Sequence, residues 1–239
     1  MIYKRVLLKL SGESLSGSEN YGITQNALEH YSIEISEIVK KGIQTAVVLG
    51  GGNIFRGVQG TNTGVDRVQG DYMGMLATII NALAMQASLR KAGIETTVLS
   101  GIPIEPVCEK MSAQKADKLL NDGHVVIVAG GTGNPFFTTD SAAALRAIEI
   151  KADIILKGTR VDGVFDKDPE KYSDAVKFDS ITFADAYKKN LRIMDLTAFT
   201  LCQENNMPII VFNINKQGIL SRILIDGKKE GTIVTNMTA

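Results

Sequence analysis

Short, nearly uninterrupted apolar runs recur along the chain at 6–10, 43–49, 94–99, 125–129, 153–156, 209–212 and 232–235. Runs of this kind, rich in Val and Ile, predict strands of a largely parallel sheet buried on both faces. Between them the apolar period lengthens to that of a helix. After Thr24, the residues Leu28, Tyr31, Ile35, Ile38 and Val39 repeat at helical spacing, with Thr24 placed to cap the start and Gly42 to mark the end. A second helix is predicted from about Asp71 to Lys91, stopped by Gly93, with Met73, Leu76, Ile80, Leu83 and Ala84 on one broad apolar face. A third runs from near Thr139 to near Ala152, and the pattern Thr182-x-x-Asp185 opens a fourth. Alternating strands and helices predict an α/β fold with helices on both sides of the sheet. No repeat or linker divides the chain, so residues 1–239 read as one domain. The polar stretch 158–179 is its candidate for a lobe insertion or a ligand-facing loop.

Composition narrows the function classes. Lys+Arg and Asp+Glu are both 26, giving zero formal charge, so wholesale nucleic-acid binding by phosphate neutralisation is not expected. A local basic pocket remains open. Cys108 and Cys202 are the only cysteines and the two histidines stand alone, which disfavours a zinc site or disulfide framework and suits a reducing cytoplasm. Lys9 interrupts the first apolar run before a signal-peptide core forms, and no stretch is expected to supply the roughly 20 apolar residues of a membrane span.

Ligands of open α/β sheets bind beyond the carboxyl ends of the strands, so the residues there carry the chemistry. The first strand delivers K-L-S-G-E at 9–13, with Lys9 inside an apolar run and a Ser11-Gly12 turn after it. A snorkelling lysine and an ordinary turn would give the same pattern. The second strand ends in G-G-G-N-I-F-R-G at 50–57, where glycines leave backbone N–H groups open to an anion and Arg56 offers a fork for phosphate. It matches neither the P-loop nor the dinucleotide fingerprint. Another strand runs into G-G-T-G-N-P-F-F-T-T-D at 130–140, dense in glycines and hydroxyls. Asp140 there is a helix cap or a site residue, and Phe136 and Phe137 are core or ligand contacts. Lys157 ends the 153–156 strand and mirrors Lys9, while Asp166 and Asp168 in the loop beyond are metal or ribose ligands, or a solvated turn.

These motifs, with G-D-Y-M-G-M-L-A-T at 70–78, V-D-G-V-F at 161–165 and M-D-L-T-A-F at 194–199, together resemble the bacterial UMP kinases of the amino-acid kinase superfamily over essentially the whole chain. The resemblance implies a three-layer αβα sandwich, a cytoplasmic homohexamer, and transfer of phosphate from ATP, with Mg²⁺, to UMP in pyrimidine nucleotide synthesis. It implies no dedicated protein metal site, the Mg²⁺ being held mainly by ATP. Two lobes are implied, the nucleotide-binding one over roughly 150–239. Lys9, Leu10, Ser11, Gly12, Gly52 and Arg56 would lie at the ATP phosphates, and Thr159, Phe165 and Asp168 at the adenosine end. Gly51, Asp71 and the loop Thr132, Gly133, Asn134, Pro135, Phe136, Phe137, Thr138 and Thr139 would hold UMP. Asp71 suits the ribose hydroxyls; capping the helix that follows is its other role. Lys9, Lys157, Arg56 and Asp140 form the implied catalytic set, with Asp140 positioning Lys9. UTP is the implied feedback inhibitor. GTP activation, common among relatives, involves a Trp in some members that this Trp-free chain lacks. Two rivals remain: a carboxylate or carbamate kinase of the same superfamily, and a non-catalytic nucleotide-binding protein on the same fold.

Overall fold

Each apolar run becomes a strand. In the computed structural model, which describes residues 3–17, 19, 21–55 and 64–237, these are β1 (Arg5–Leu10), β2 (Gln44–Leu49), β3 (Thr96–Ser100), β5 (Val125–Ala129), β6 (Ile154–Thr159), β8 (Ile209–Asn213) and β9 (Thr232–Thr235). Two short strands without an apolar run of their own, β4 (Glu109–Lys110) and β7 (Ser180–Thr182), complete one sheet in the order β4-β3-β5-β2-β1-β6-β8-β9-β7. Neighbours from β4 to β8 pair in parallel. The β8–β9 pair is antiparallel, so β9 and β7 run against the rest. From β1 the chain winds outward through β2 on one side and resumes at β6 on the other. The carboxyl ends of β1, β2 and β6 are therefore the topological switch point, where a crevice opens.

Alternate residues of each central strand feed two apolar layers. Val6, Leu8 and Leu10 face α1 (Gln25–Val39), α2 (Arg67–Lys91) and α7 (Ile219–Leu224). Leu7 faces the other layer, built on α3 (Ala113–Asn121), α4 (Thr139–Glu149), α5 (Phe183–Lys188) and α6 (Leu196–Glu204). The predicted αβα sandwich with a largely parallel sheet is what forms. Thr24 caps α1 by accepting from the Ala27 N–H, and Thr182 caps α5 by accepting from the Asp185 N–H.

Three expectations need correction. α2 begins at Arg67, not near Asp71, because Asp66 is the cap and accepts from the Gln69 N–H. α4 ends at Glu149, short of Ala152. By length and composition α2 could span a bilayer, contrary to the expectation that no stretch would. In this fold it instead lies on the sheet, with Met75, Ile79, Ala82, Met85 and Leu89 buried and its buried polar residues Thr78 and Asn81 bonded to strand-end loops.

Candidate active site

The period-two alternation that sends Leu7 and Ile155 toward α4 sends Lys9 and Lys157 to the same side, two residues nearer the carboxyl ends. The two lysines are register partners across β1 and β6. Over them sits the first turn of α4. Thr138 caps that helix, its hydroxyl accepting from the N–H groups of Asp140 and Ser141. Asp140 is thus freed from the cap role and points at the lysines. Its Oδ2 accepts from Lys157 Nζ at 2.7 Å, and its Oδ1 lies 2.7 Å from Lys9 Nζ, in ion-pair contact but off hydrogen-bond alignment. Lys157 also donates to the Ile193 carbonyl at 2.6 Å.

All three side chains are nearly buried. Burial works to raise the Asp140 pKa, but the two ammonium groups overcome it and hold the carboxyl below its ordinary value. Burial pulls the Lys157 pKa down; Asp140 opposes this, Lys9 adds to it, and the result lies below the usual lysine value. Two cations share one carboxylate, so the cluster carries a surplus positive charge at the mouth of the crevice, which suits a phosphate oxygen.

The loops after β1 and β2 meet beside this clamp. A Cβ on Gly12 would lie 2.6 Å from both Asn53 Oδ1 and the Gly50 carbonyl and 2.7 Å from Gly52 N, so only glycine allows this backbone-on-backbone approach. Gly12 and Gly52 are brought together with Gly50, while Gly51 packs against α2 at Gly74 and Ala77. Leu10 points its side chain into the core on the far face. Arg56 lies outside the described residues.

Beyond β5 the chain enters the loop 130–138. Gly133, at φ +85°, turns it so closely over Gly101 that a Cβ would lie 2.5 Å from the Gly101 carbonyl. Asp71, inside α2, accepts from the Phe136 N–H at 2.7 Å and from Arg67 Nε at 2.9 and 3.0 Å. Its alternative role as a helix cap is excluded by Asp66. Phe136 is 66% exposed and Phe137 47%, so neither is core. Arg67 lies over the Phe136 ring, 5.7 Å from its centroid.

On the other side of Lys157 a cavity of about 670 Å³ extends under the 158–179 segment, lined by Thr159, Phe165 and Asp168 among others. A second, of about 690 Å³, is lined by Asp140, Lys157 and Asp195, and the two share residues 190–193. The three residues expected at the adenosine end thus line one space that meets the clamp.

Four supporting residues had no role assigned from the sequence, although Asn53 and Asp195 lie inside quoted motifs. Asn53 and Asn81 form a buried reciprocal amide pair: Asn81 Nδ2 donates to the Gly50 carbonyl and to Asn53 Oδ1, both at 2.7 Å. Asp195 caps α6 and accepts from the hydroxyls of Ser141 and Thr138. Arg146 on α4 reaches the loop carbonyls of Gly131 and Thr132. The usable signal for Asn81 and Arg146 is a polar residue where the helical period calls for an apolar one.

A lysine–aspartate–lysine clamp at the switch point of a parallel sheet, between a glycine loop and a hydroxyl-rich loop, defines an α/β protein that gathers phosphoryl groups. The model of the amino acid kinase family matches residues 4–213. The uridylate kinase of Bacteroides thetaiotaomicron is 52% identical over 234 residues, covering 98% of this chain and 99% of that protein. The UMP kinase of Bacillus anthracis superimposes with a TM-score of 0.95 at 39% identity, covering 99% of this chain and 97% of that one. The UMP kinase of Ureaplasma parvum does so at 0.92 and 40% identity, covering 98% and 100%. The chain belongs to the uridylate kinases of the amino acid kinase family.

Proposed function

We propose that this protein transfers the γ-phosphoryl group of ATP to UMP, giving ADP and UDP. The observation that carries the reading is the clamp itself, in which Lys9, Asp140 and Lys157 stand between the cavity at Thr159 and the loop 130–138. Thr159, Phe165 and Asp168, beyond about residue 150, hold the adenosine end of ATP, the loops at Lys9–Gly12 and Gly52 meet its phosphates, and Asp71 with the loop 130–138 holds UMP. Phosphoryl transfer passes through a loose, in-line transition state, so positioning and charge do most of the work. ATP and UMP bring roughly six negative charges once the second proton of UMP, with pKa about 6, has left. Lys9, Lys157 and Arg56 offset part of this and Mg²⁺ another part. Both Asp140 oxygens face ammonium groups, Lys9 and Lys157. These residues fit a metal that enters as MgATP, the substrate, coordinated by phosphates. UMP-dependent ADP release tests the reading; release with carbamate or N-acetylglutamate in place of UMP, or with no acceptor at all, would replace it.

Asp71 accepts the ribose hydroxyls in this reading. Asp71→Asn is expected to raise the UMP KM about 10-fold, since a hydrogen bond to a charged group contributes roughly 1.5–3 kcal/mol. The ATP KM should barely move. An unchanged UMP KM would leave Asp71 as a tether for Phe136 alone. UTP, sharing the uridine, inhibits from the same loop.

The working unit is a cytoplasmic homohexamer. α2 supports this: Tyr72, Met73, Leu76 and Ile80 form an exposed apolar stripe on the face turned from the sheet, of the kind that marks an interface. Light scattering at micromolar concentration should give six chains, and Ile80→Glu should lower that number. A wild-type monomer would refute the assembly.

A further inference from the structure

Arg146 lies six residues beyond Asp140 on α4, only 7% exposed despite its charge. A guanidinium is not buried without strong partners. One arm donates to Glu149 Oε2 at 2.7 Å. The other reaches the carbonyl oxygens of Gly131 and Thr132 at 3.2 and 3.3 Å. Nε has no partner among the described residues, so the group is placed for the loop rather than for its own satisfaction.

A trans peptide is planar, and its N–H points opposite its carbonyl. Holding the Gly131 carbonyl toward Arg146 therefore turns the Thr132 N–H away from α4. Holding the Thr132 carbonyl does the same for the Gly133 N–H, which is taken up by the Gly130 carbonyl at 3.0 Å. The Thr132 N–H has no hydrogen-bond partner among the described residues. Resting on the UMP reading above, we propose that Arg146 is a positioning residue for base selection: it locks the 131–132 peptides so that a fixed backbone donor faces the acceptor's base. A fixed N–H donates to a uracil carbonyl and is mismatched to the amino group that cytosine carries in its place. Sites that discriminate by a buried hydrogen bond do so far more sharply than sites that discriminate by shape.

The test is steady-state kinetics of the full chain with UMP and with CMP, at saturating MgATP, for wild type, Arg146→Lys and Arg146→Met. A lysine keeps the charge, but its single nitrogen cannot hold Glu149 and both carbonyls at once in one fixed plane, as the guanidinium does with one arm on Glu149 and the other on the two carbonyls. Expected results are a UMP KM raised about 10-fold or more in Arg146→Met, with the UMP-to-CMP ratio of kcat/KM lowered about 10-fold. Arg146→Lys should lie between wild type and Arg146→Met, and the ATP KM should stay within about twofold in both. A merely structural role would lower melting temperature and both activities together and leave the ratio unchanged; that result in folded Arg146→Lys overturns the proposal. If Arg146→Met does not fold, Arg146→Lys decides alone. A wild type that releases no ADP with UMP sinks the functional reading itself, which the same assay separates from a failed variant.

Discussion

Lys9→Met should lower turnover by about 10²–10³ while leaving the protein folded. The size follows from removing one preorganised charge from a dry site where phosphoryl charge moves. Folding should survive for a structural reason. Asp140 keeps its hydrogen bond to Lys157, so no buried charge is orphaned. Methionine is unbranched and of similar length, and it would sit on the strand face shared with Leu7 and Val48. The measurement is kcat with UMP and ATP both saturating, alongside a thermal melt. Retention of more than about half of wild-type turnover would remove Lys9 from the reacting phosphates and leave it a buried strand residue.

Asp140→Asn acts on the same clamp from the other side, with a larger effect on stability. It leaves two buried ammonium groups side by side across β1 and β6, and breaking a buried pair by deleting one partner costs about 3–5 kcal/mol. In wild type, burial alone would raise the Asp140 pKa, but Lys9 and Lys157 bring it below its ordinary value. A carboxyl with a depressed folded-state pKa stabilises the fold above its unfolded value, about 3.9, and loses that contribution as pH falls through the folded value. Urea titrations above and below that point should show the wild-type advantage over Asp140→Asn shrinking in acid. The rate profile separates positioning from proton transfer. UMP offers an ionised phosphate oxygen, so no base is needed, and the acid limb of kcat/KM should follow the second ionisation of UMP, near about pH 6, in both proteins. The alkaline limb should move. Burial already lowers the Lys157 pKa; without the opposing carboxylate it falls further, and Asp140→Asn should lose activity at a lower pH than wild type. An acid limb displaced by more than about one unit would mean that Asp140 titrates as a catalytic base.

The strand runs, the glycine loops and the paired lysines were all legible from residue order, because each is a local pattern. β4 and β7 were not: strands of two and three residues carry no periodicity and exist because a neighbour's edge is open. The start of α2 was misplaced because Asp66 and Asp71 both suit a cap, and only the Gln69 N–H bonded to Asp66 distinguishes them. Asp140 was open between cap and site for the same reason, until Thr138 took the cap.

Composition and motif spacing were enough to establish an α/β sandwich, a phosphate-gathering chemistry and the loops that supply it. These depend on side-chain type and on separations of a few residues along the chain. That Lys9 and Lys157, far apart in sequence, share a register and one carboxylate depends on which strand lies beside which, and the order β2-β1-β6 is set by how the helices pack on both faces. The roles of Arg146 and Asn81 likewise arise only in three dimensions. Each is an isolated polar residue in an apolar helical pattern, and its meaning lies in backbone carbonyls that folding brings within reach.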